Sequence, residues 1–158
     1  MKKIAILGCG SVSQVFCINA LRHLGNDYFI TTVCAKHHEH AVELASRVGG
    51  RAARNVSEML ELGPDIVVEF AGISAVEEHA QEILEAGADL VISSVGALDE
   101  KNFRDHIVKI AKQNKRHIYV TSGAIGGLDV METYSVIGNP TVRIESVKPP
   151  ESYIGTPY

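Results

Sequence analysis

Lys2-Lys3-Ile4-Ala5-Ile6-Leu7-Gly8-Cys9-Gly10-Ser11-Val12-Ser13 decides the fold. Four consecutive apolar residues that stop at glycines predict a strand buried on both faces of a parallel sheet. Behind the glycines, Val12, Phe16, Ala20 and Leu24, joined by Cys17 and Leu21, recur at three- and four-residue intervals up to Gly25, which predicts a helix with a glycine stop. Tyr28 to Ala35 is rich in β-branched residues and predicts a second strand. A strand-helix-strand unit is therefore complete by about residue 35.

The alternation continues outward. Ala41, Leu44, Ala45 and Val48 space out as a helix closed by Gly49-Gly50, and a short helix is expected from Ser57 to about Leu62. Asp65-Ile66-Val67-Val68-Glu69-Phe70 is the next strand, and Ser74 with Glu77 three residues on forms a capping box for the following helix. Leu90-Val91-Ile92 is another buried strand, Asp99 can cap a helix carrying Phe103, Ile107, Ile110 and Ala111, and His117 to Thr121 closes the series. Strand and helix thus alternate across residues 1–121, the pattern of an α/β, Rossmann-type doubly wound parallel sheet with right-handed crossovers.

From Ser122 the texture changes. Ser122-Gly123-Ala124-Ile125-Gly126-Gly127 is a glycine-rich turn, followed by a short helix that Asp129 can cap and Gly138-Asn139-Pro140 can end. Val142, Ile144 and Ser146 then alternate with Arg143, Glu145 and Val147, the period of a half-exposed antiparallel strand. Residues 122–158 are expected to begin an α+β second domain that is not completed here, its strand either pairing across a dimer or leaving the C-terminus disordered.

Composition excludes several classes. The 158 residues are 46% hydrophobic and 22% charged with net charge −4, which argues against disorder and against a broad nucleic-acid surface. Cys9, Cys17 and Cys34 are an odd set without CxxC spacing, fitting a reducing cytoplasm better than a disulfide framework. The apolar run after Lys2-Lys3 is too short for a signal peptide or a membrane span, so a cytoplasmic protein without membrane partners is expected.

Gly8-Cys9-Gly10-Ser11-Val12-Ser13 lies between the first strand and first helix, where a dinucleotide fingerprint places pyrophosphate on the helix N-terminus. Gly8 would make the turn, Gly10 would let backbone approach the phosphates, with Ser11 and Val12 beside them; the fingerprint's third glycine is Ser13 here. Gly-x-Gly alone is weak, and the flanking strand-helix-strand pattern strengthens it. At the end of the second strand, where a carboxylate would select NAD, there is instead Lys36-His37-His38, a cluster able to pair with the 2′-phosphate of NADP. The cofactor is thus NADP or NAD, with NADP preferred or both used.

Ala71, Ser94 and Ala124 lie in segments after successive strands and would face the nicotinamide side. The run His37, His38, Glu39, His40 lacks a second cluster to complete a metal shell. No Ser-His-Asp arrangement or paired carboxylates emerges from the spacing. His23, His79 and His106 fall on predicted helices and are expected at the surface.

Ser93-Ser94-Val95-Gly96-Ala97-Leu98, and more strongly Ser122-Gly123-Ala124-Ile125-Gly126-Gly127-Leu128-Asp129 with the later Lys148-Pro149-Pro150, resemble the L-aspartate dehydrogenase family. The likeness runs over essentially the whole chain, and family members are longer. It implies a Rossmann domain followed by an α+β domain that carries substrate contacts and mediates homo-oligomerisation. It implies oxidation of L-aspartate with NAD or NADP to iminoaspartate, which hydrolyses to oxaloacetate and ammonia or supplies NAD biosynthesis. Ala124 matches the family's cofactor-contacting alanine. The family's catalytic histidine and a cofactor-contacting asparagine lie in the second domain, and none of the seven histidines here matches that position, so no catalytic residue is assigned. Two alternatives stay open: a nucleotide-binding or interaction module without turnover, and a homoserine dehydrogenase-like or dihydrodipicolinate reductase-like enzyme on the same fold.

Overall fold

The computed structural model describes residues 1–123, 128–138, 140–143, 145, 147, 149 and 150. The chain divides into two compact units, Met1–Gly123 and Ala124–Tyr158.

In the first unit, β1 (Lys2–Leu7), β2 (Tyr28–Cys34), β3 (Arg51–Ala53), β4 (Ile66–Glu69), β5 (Asp89–Ile92) and β6 (Ile118–Val120) form one sheet in the order β3-β2-β1-β4-β5-β6. Each neighbouring pair is parallel, as the expected Rossmann-type sheet requires. The helices are α1 (Ser11–Leu24), α2 (His38–Val48), α3 (Val56–Glu61), α4 (Ile73–Glu85) and α5 (Lys101–Gln113), with a 3₁₀ turn at Val95–Leu98. Chain order reverses between β1 and β4, which makes the C-terminal ends of these two strands the switch point where such sheets bind ligands.

β1 shows why four apolar residues in a row were needed. Ala5 and Leu7 enter one core with Val67, Leu90 and Ile92 of the sheet and Val76, Ile83 and Ile107 of the helices. Ile4 and Ile6 face the other way, into a core with Ile30, Val33, Cys17, Ala41 and Leu44. Helices α1 and α2 thus cover one face and α3, α4 and α5 the other, and Ile4 to Leu7 of the central strand are buried from both sides, while Lys2 and Lys3 at its start are exposed.

Several local expectations are corrected. The three-residue strand β3 was not foreseen, because Arg51-Ala52-Ala53 is too short and too weakly apolar to carry a period of two. Helix α3 begins one residue earlier than expected, capped by Asn55, whose Oδ1 accepts from Glu58 N at 2.8 Å. The Ser74–Glu77 capping box does not form, because α4 already starts at Ile73 behind Gly72, placing Ser74 in the first turn. Asp99 does not cap α5; it closes the 3₁₀ turn, and Glu100 caps the helix by accepting from Asn102 N and Phe103 N at 3.0 and 2.6 Å.

In the second unit, α6 (Leu128–Ile137) begins before Asp129, which therefore lies inside the helix and does not cap it. The helix ends at Gly138, whose N–H donates to Tyr134 O at 3.0 Å. The strand expected over 142–147 is not formed at its described residues: Val142, Arg143, Glu145 and Val147 lie in no strand, and among the described residues there is no neighbouring strand to complete a ladder. Ile144, Ser146 and Lys148 lie outside the described residues. Among the described residues no helix is long and apolar enough to cross a membrane.

Candidate functional site

The turn between β1 and α1 sits at the switch point, pinned by backbone on both sides. Gly8 N donates to Cys34 O of β2 at 2.8 Å, and Phe70 N, after β4, donates to Leu7 O at 2.7 Å. Gly8 has φ +104°, and a Cβ placed there would meet Phe70 C at 2.6 Å and Ala71 N at 2.7 Å. Only glycine fits that conformation and that approach. Gly10 is different: it has φ −68°, and a Cβ there would meet nothing within 4 Å.

Gly10 is also the N-cap of α1 and supplies no side-chain cap, so the first-turn amides, those of Ser11 and Val12 among them, have no intrahelical acceptor. Open space at Gly10, beside uncapped N–H groups at the positive end of a 14-residue helix, fits a pyrophosphate. Ser13, in place of the third glycine, is fully buried where that glycine would pack helix against sheet. Phe16 of α1 and Phe70, with ring centroids 5.3 Å apart, hold the helix to the end of β4.

On the β2 side a cavity of about 480 Å³ opens, within the usual range for a small-molecule site. Cys34 and Ala71 contribute to its apolar lining, Lys36 and Arg54 bring positive charge, and Glu78 and His79 come from α4. Among the described residues neither Lys36 nor Arg54 has a side-chain hydrogen bond or ion pair. His37, expected beside Lys36, does not line this cavity; it is the N-cap of α2, with its ring 3.8 Å from Glu39 and 5.6 Å from the ring of His40. Arg54 was missed, because it follows a strand too short to be seen. His79, expected at the surface, is half-buried and held by Glu82, Nδ1 to Oε1 2.5 Å.

On the β4–β5 side the governing residue is one the sequence reading passed over. Glu69, the last residue of β4, is fully buried. Its Oε1 accepts from Ala71 N and Gly72 N, both at 2.7 Å, and from Ser94 Oγ at 2.8 Å. Its Oε2 accepts from Ser93 N at 3.2 Å and Ser94 N at 3.0 Å. Two site candidates, Ala71 and Ser94, are therefore tied to one carboxylate. The signal available in the sequence was an acidic residue ending an otherwise apolar buried strand. Ala124 lies outside the described residues.

Cys9, in the turn itself, is a free thiol pushed up to about 11, by burial first and then by the neighbouring Cys17 and Cys34. Among the described residues no three metal-ligating side chains gather.

Comparison with known proteins places this geometry. Residues 8–121 match the family described as "Homoserine dehydrogenase, NAD binding domain". The chain is 33% identical over 152 residues to the L-aspartate dehydrogenase of Methanospirillum hungatei, covering 96% of this chain and 58% of that protein. It is 38% identical over 149 residues to that of Methanothermobacter thermautotrophicus, covering 94% and 57%. The resemblance seen in the sequence motifs is thereby borne out, and the chain spans a little over half the length of these curated relatives. Among solved structures, the WlbA dehydrogenase of Bordetella pertussis in complex with NADH and UDP-GlcNAcA superposes with TM-score 0.71 at 19% identity, over 85% of this chain and 40% of that one. An oxidoreductase from Thermotoga maritima gives 0.67 at 22%, over 75% and 37%. Both share the fold.

Proposed function

The chain belongs to the family of the homoserine dehydrogenase NAD-binding domain, with NAD or NADP as cofactor, and from that premise we propose that it is the cofactor-binding portion of an L-aspartate dehydrogenase. The observation that carries the cofactor role is the open, uncapped helix start at Gly10, at the switch point of a parallel sheet. The observation that carries the substrate is the identity of 33–38% to proteins named for L-aspartate.

In this reading Gly8 sets the turn, and Gly10, Ser11 and Val12 hold the pyrophosphate with backbone N–H groups. The adenosine end enters the cavity of Lys36 and Arg54, two cations without a side-chain partner among the described residues and suited to a 2′-phosphate, which favours NADP over NAD. His37, the N-cap of α2, lies outside that lining and is given no cofactor contact in this reading. Ser94 flanks the nicotinamide, and Ala71, which also lines the cavity of Lys36 and Arg54, stands between the two halves of the cofactor; the nicotinamide when bound accepts hydride from the α-carbon of the substrate. The product, iminoaspartate, hydrolyses to oxaloacetate and ammonia. Residues 1–121 would serve as the dinucleotide domain and 122–158 would begin the substrate and oligomerisation domain of a homo-oligomer.

The test is a substrate panel with NADP and NAD, followed by absorbance of the reduced nicotinamide. Turnover of L-aspartate and not of L-homoserine is expected when this portion is joined to the second domain that carries the family's catalytic histidine; turnover of L-homoserine alone would overturn the substrate assignment.

A further inference from the structure

A carboxylate buried away from water is costly unless its lone pairs are filled, and Glu69 fills them entirely with donors from two loops. Two backbone N–H groups come from the β4–α4 loop, at Ala71 and Gly72. Two more and a hydroxyl come from the segment after β5, at Ser93 and Ser94. These loops leave adjacent parallel strands, with Glu69 paired to Ile92 in the sheet, and no other side chain is bonded to both among the described residues. Gly72 takes φ +117°, a conformation that side chains rarely adopt, as the chain turns from β4 into α4 beneath this carboxylate.

Such an arrangement fixes loop geometry more tightly than strand pairing needs. The sheet ladder between β4 and β5 is already complete from Ile66–Asp89 to Glu69–Ile92. What Glu69 adds lies beyond the ladder, at the crevice edge where ligands bind in sheets of this kind. We propose that Glu69 is a positioning residue that sets the Ala71 and Ser94 loops as one preformed surface for the nicotinamide half of the cofactor, without touching the cofactor itself. The inference rests on the cofactor reading above.

The variant Glu69→Gln keeps size and shape but puts an amide NH₂ before the Ser93 and Ser94 N–H groups, which then face a donor. Calorimetric titration of the 158-residue chain with NADP, and with the same molecule lacking nicotinamide, ADP-ribose 2′-phosphate, separates the two halves. The unaltered chain is expected to bind NADP tighter than the fragment. In Glu69→Gln the affinity for NADP should fall about tenfold, toward that of the fragment, while fragment binding, which meets these loops at Ala71 alone, falls less than about threefold. Equal loss for both ligands would show a staple of the whole fold, and no loss for either would show an idle one; both overturn the proposal. So would an unaltered chain that binds NADP no tighter than the fragment.

A second measurement guards against a variant that does not fold. In NMR spectra of the unaltered chain, the amides of Ser93 and Ser94 should shift with NADP and not with the fragment, whereas Ala71, which lines the cavity of Lys36 and Arg54, should shift with both; identical shifts of Ser93 and Ser94 with the two ligands would overturn the proposal. Binding of neither ligand to the unaltered chain would instead remove the cofactor reading, and Glu69's role with it.

Discussion

A methyl group on Gly8 would stand 2.6 Å from the carbonyl carbon of Phe70, so the turn after β1 and the turn after β4 share a space that only a glycine leaves open. The contact is backbone to backbone and has no flexible side chain to yield. Gly8→Ala should therefore cost about 2–4 kcal/mol, from the positive φ and the overlap together. Urea unfolding of the variant checks it, with a midpoint clearly below that of the unaltered chain expected.

Gly10 should behave in the opposite way. Its φ of −68° suits any residue and an added Cβ meets nothing, so Gly10→Val should change stability by about 1 kcal/mol or less, mostly through the helix cap. The same side chain would fill the space assigned to the phosphates. Calorimetry should show a loss of cofactor affinity of about tenfold or more, with the unfolding midpoint nearly unmoved.

The two glycines explain how far the sequence could be read. A strand ending in Gly-x-Gly and followed by a helix period located the turn correctly, because both signals are local. Which glycine is needed for packing and which for a ligand depends on Phe70, sixty-two positions away, and no local pattern carries that. The same holds for Arg54, which enters the cavity beside Lys36 only because β3 pairs with β2. Glu69 was visible as a charge in an apolar strand, but its five donors come from two loops that sheet pairing brings together. Helix starts failed for a smaller reason: at Asp99-Glu100 and Gly72-Ile73-Ser74 several adjacent residues could cap, and the loop before each helix decides.

Lys36 and Arg54 yield a prediction about cofactor choice. Each is a cation on the cavity at the end of β2 and β3 with no side-chain partner among the described residues, and a charge-assisted hydrogen bond to a phosphate contributes about 1.5–3 kcal/mol. Lys36→Ala and Arg54→Ala should each weaken NADP roughly 10–100-fold and leave NAD nearly unchanged. His37→Ala should affect neither, since His37 is outside the lining.

Cys9 gives a pH dependence with a defined sign. Its thiol is raised from 9.0 to about 11 by burial, so the folded state favours the protonated form. Its contribution to stability is fully present below pH 9 and is lost as pH rises through about 11. Iodoacetamide labelling between pH 7 and pH 9 should lag about a hundredfold behind that of the urea-unfolded chain, read by mass spectrometry of the Cys9 peptide. Equal rates would show a thiol open to water.

The most direct test of the account is calorimetric titration of the 158-residue chain with NADP and then with NAD. The account predicts one site, with NADP the tighter ligand, from the open helix start at Gly10 and the cations Lys36 and Arg54 acting together. Failure of both dinucleotides to bind would contradict it at its centre, and tighter binding of NAD would contradict the role given to the two cations.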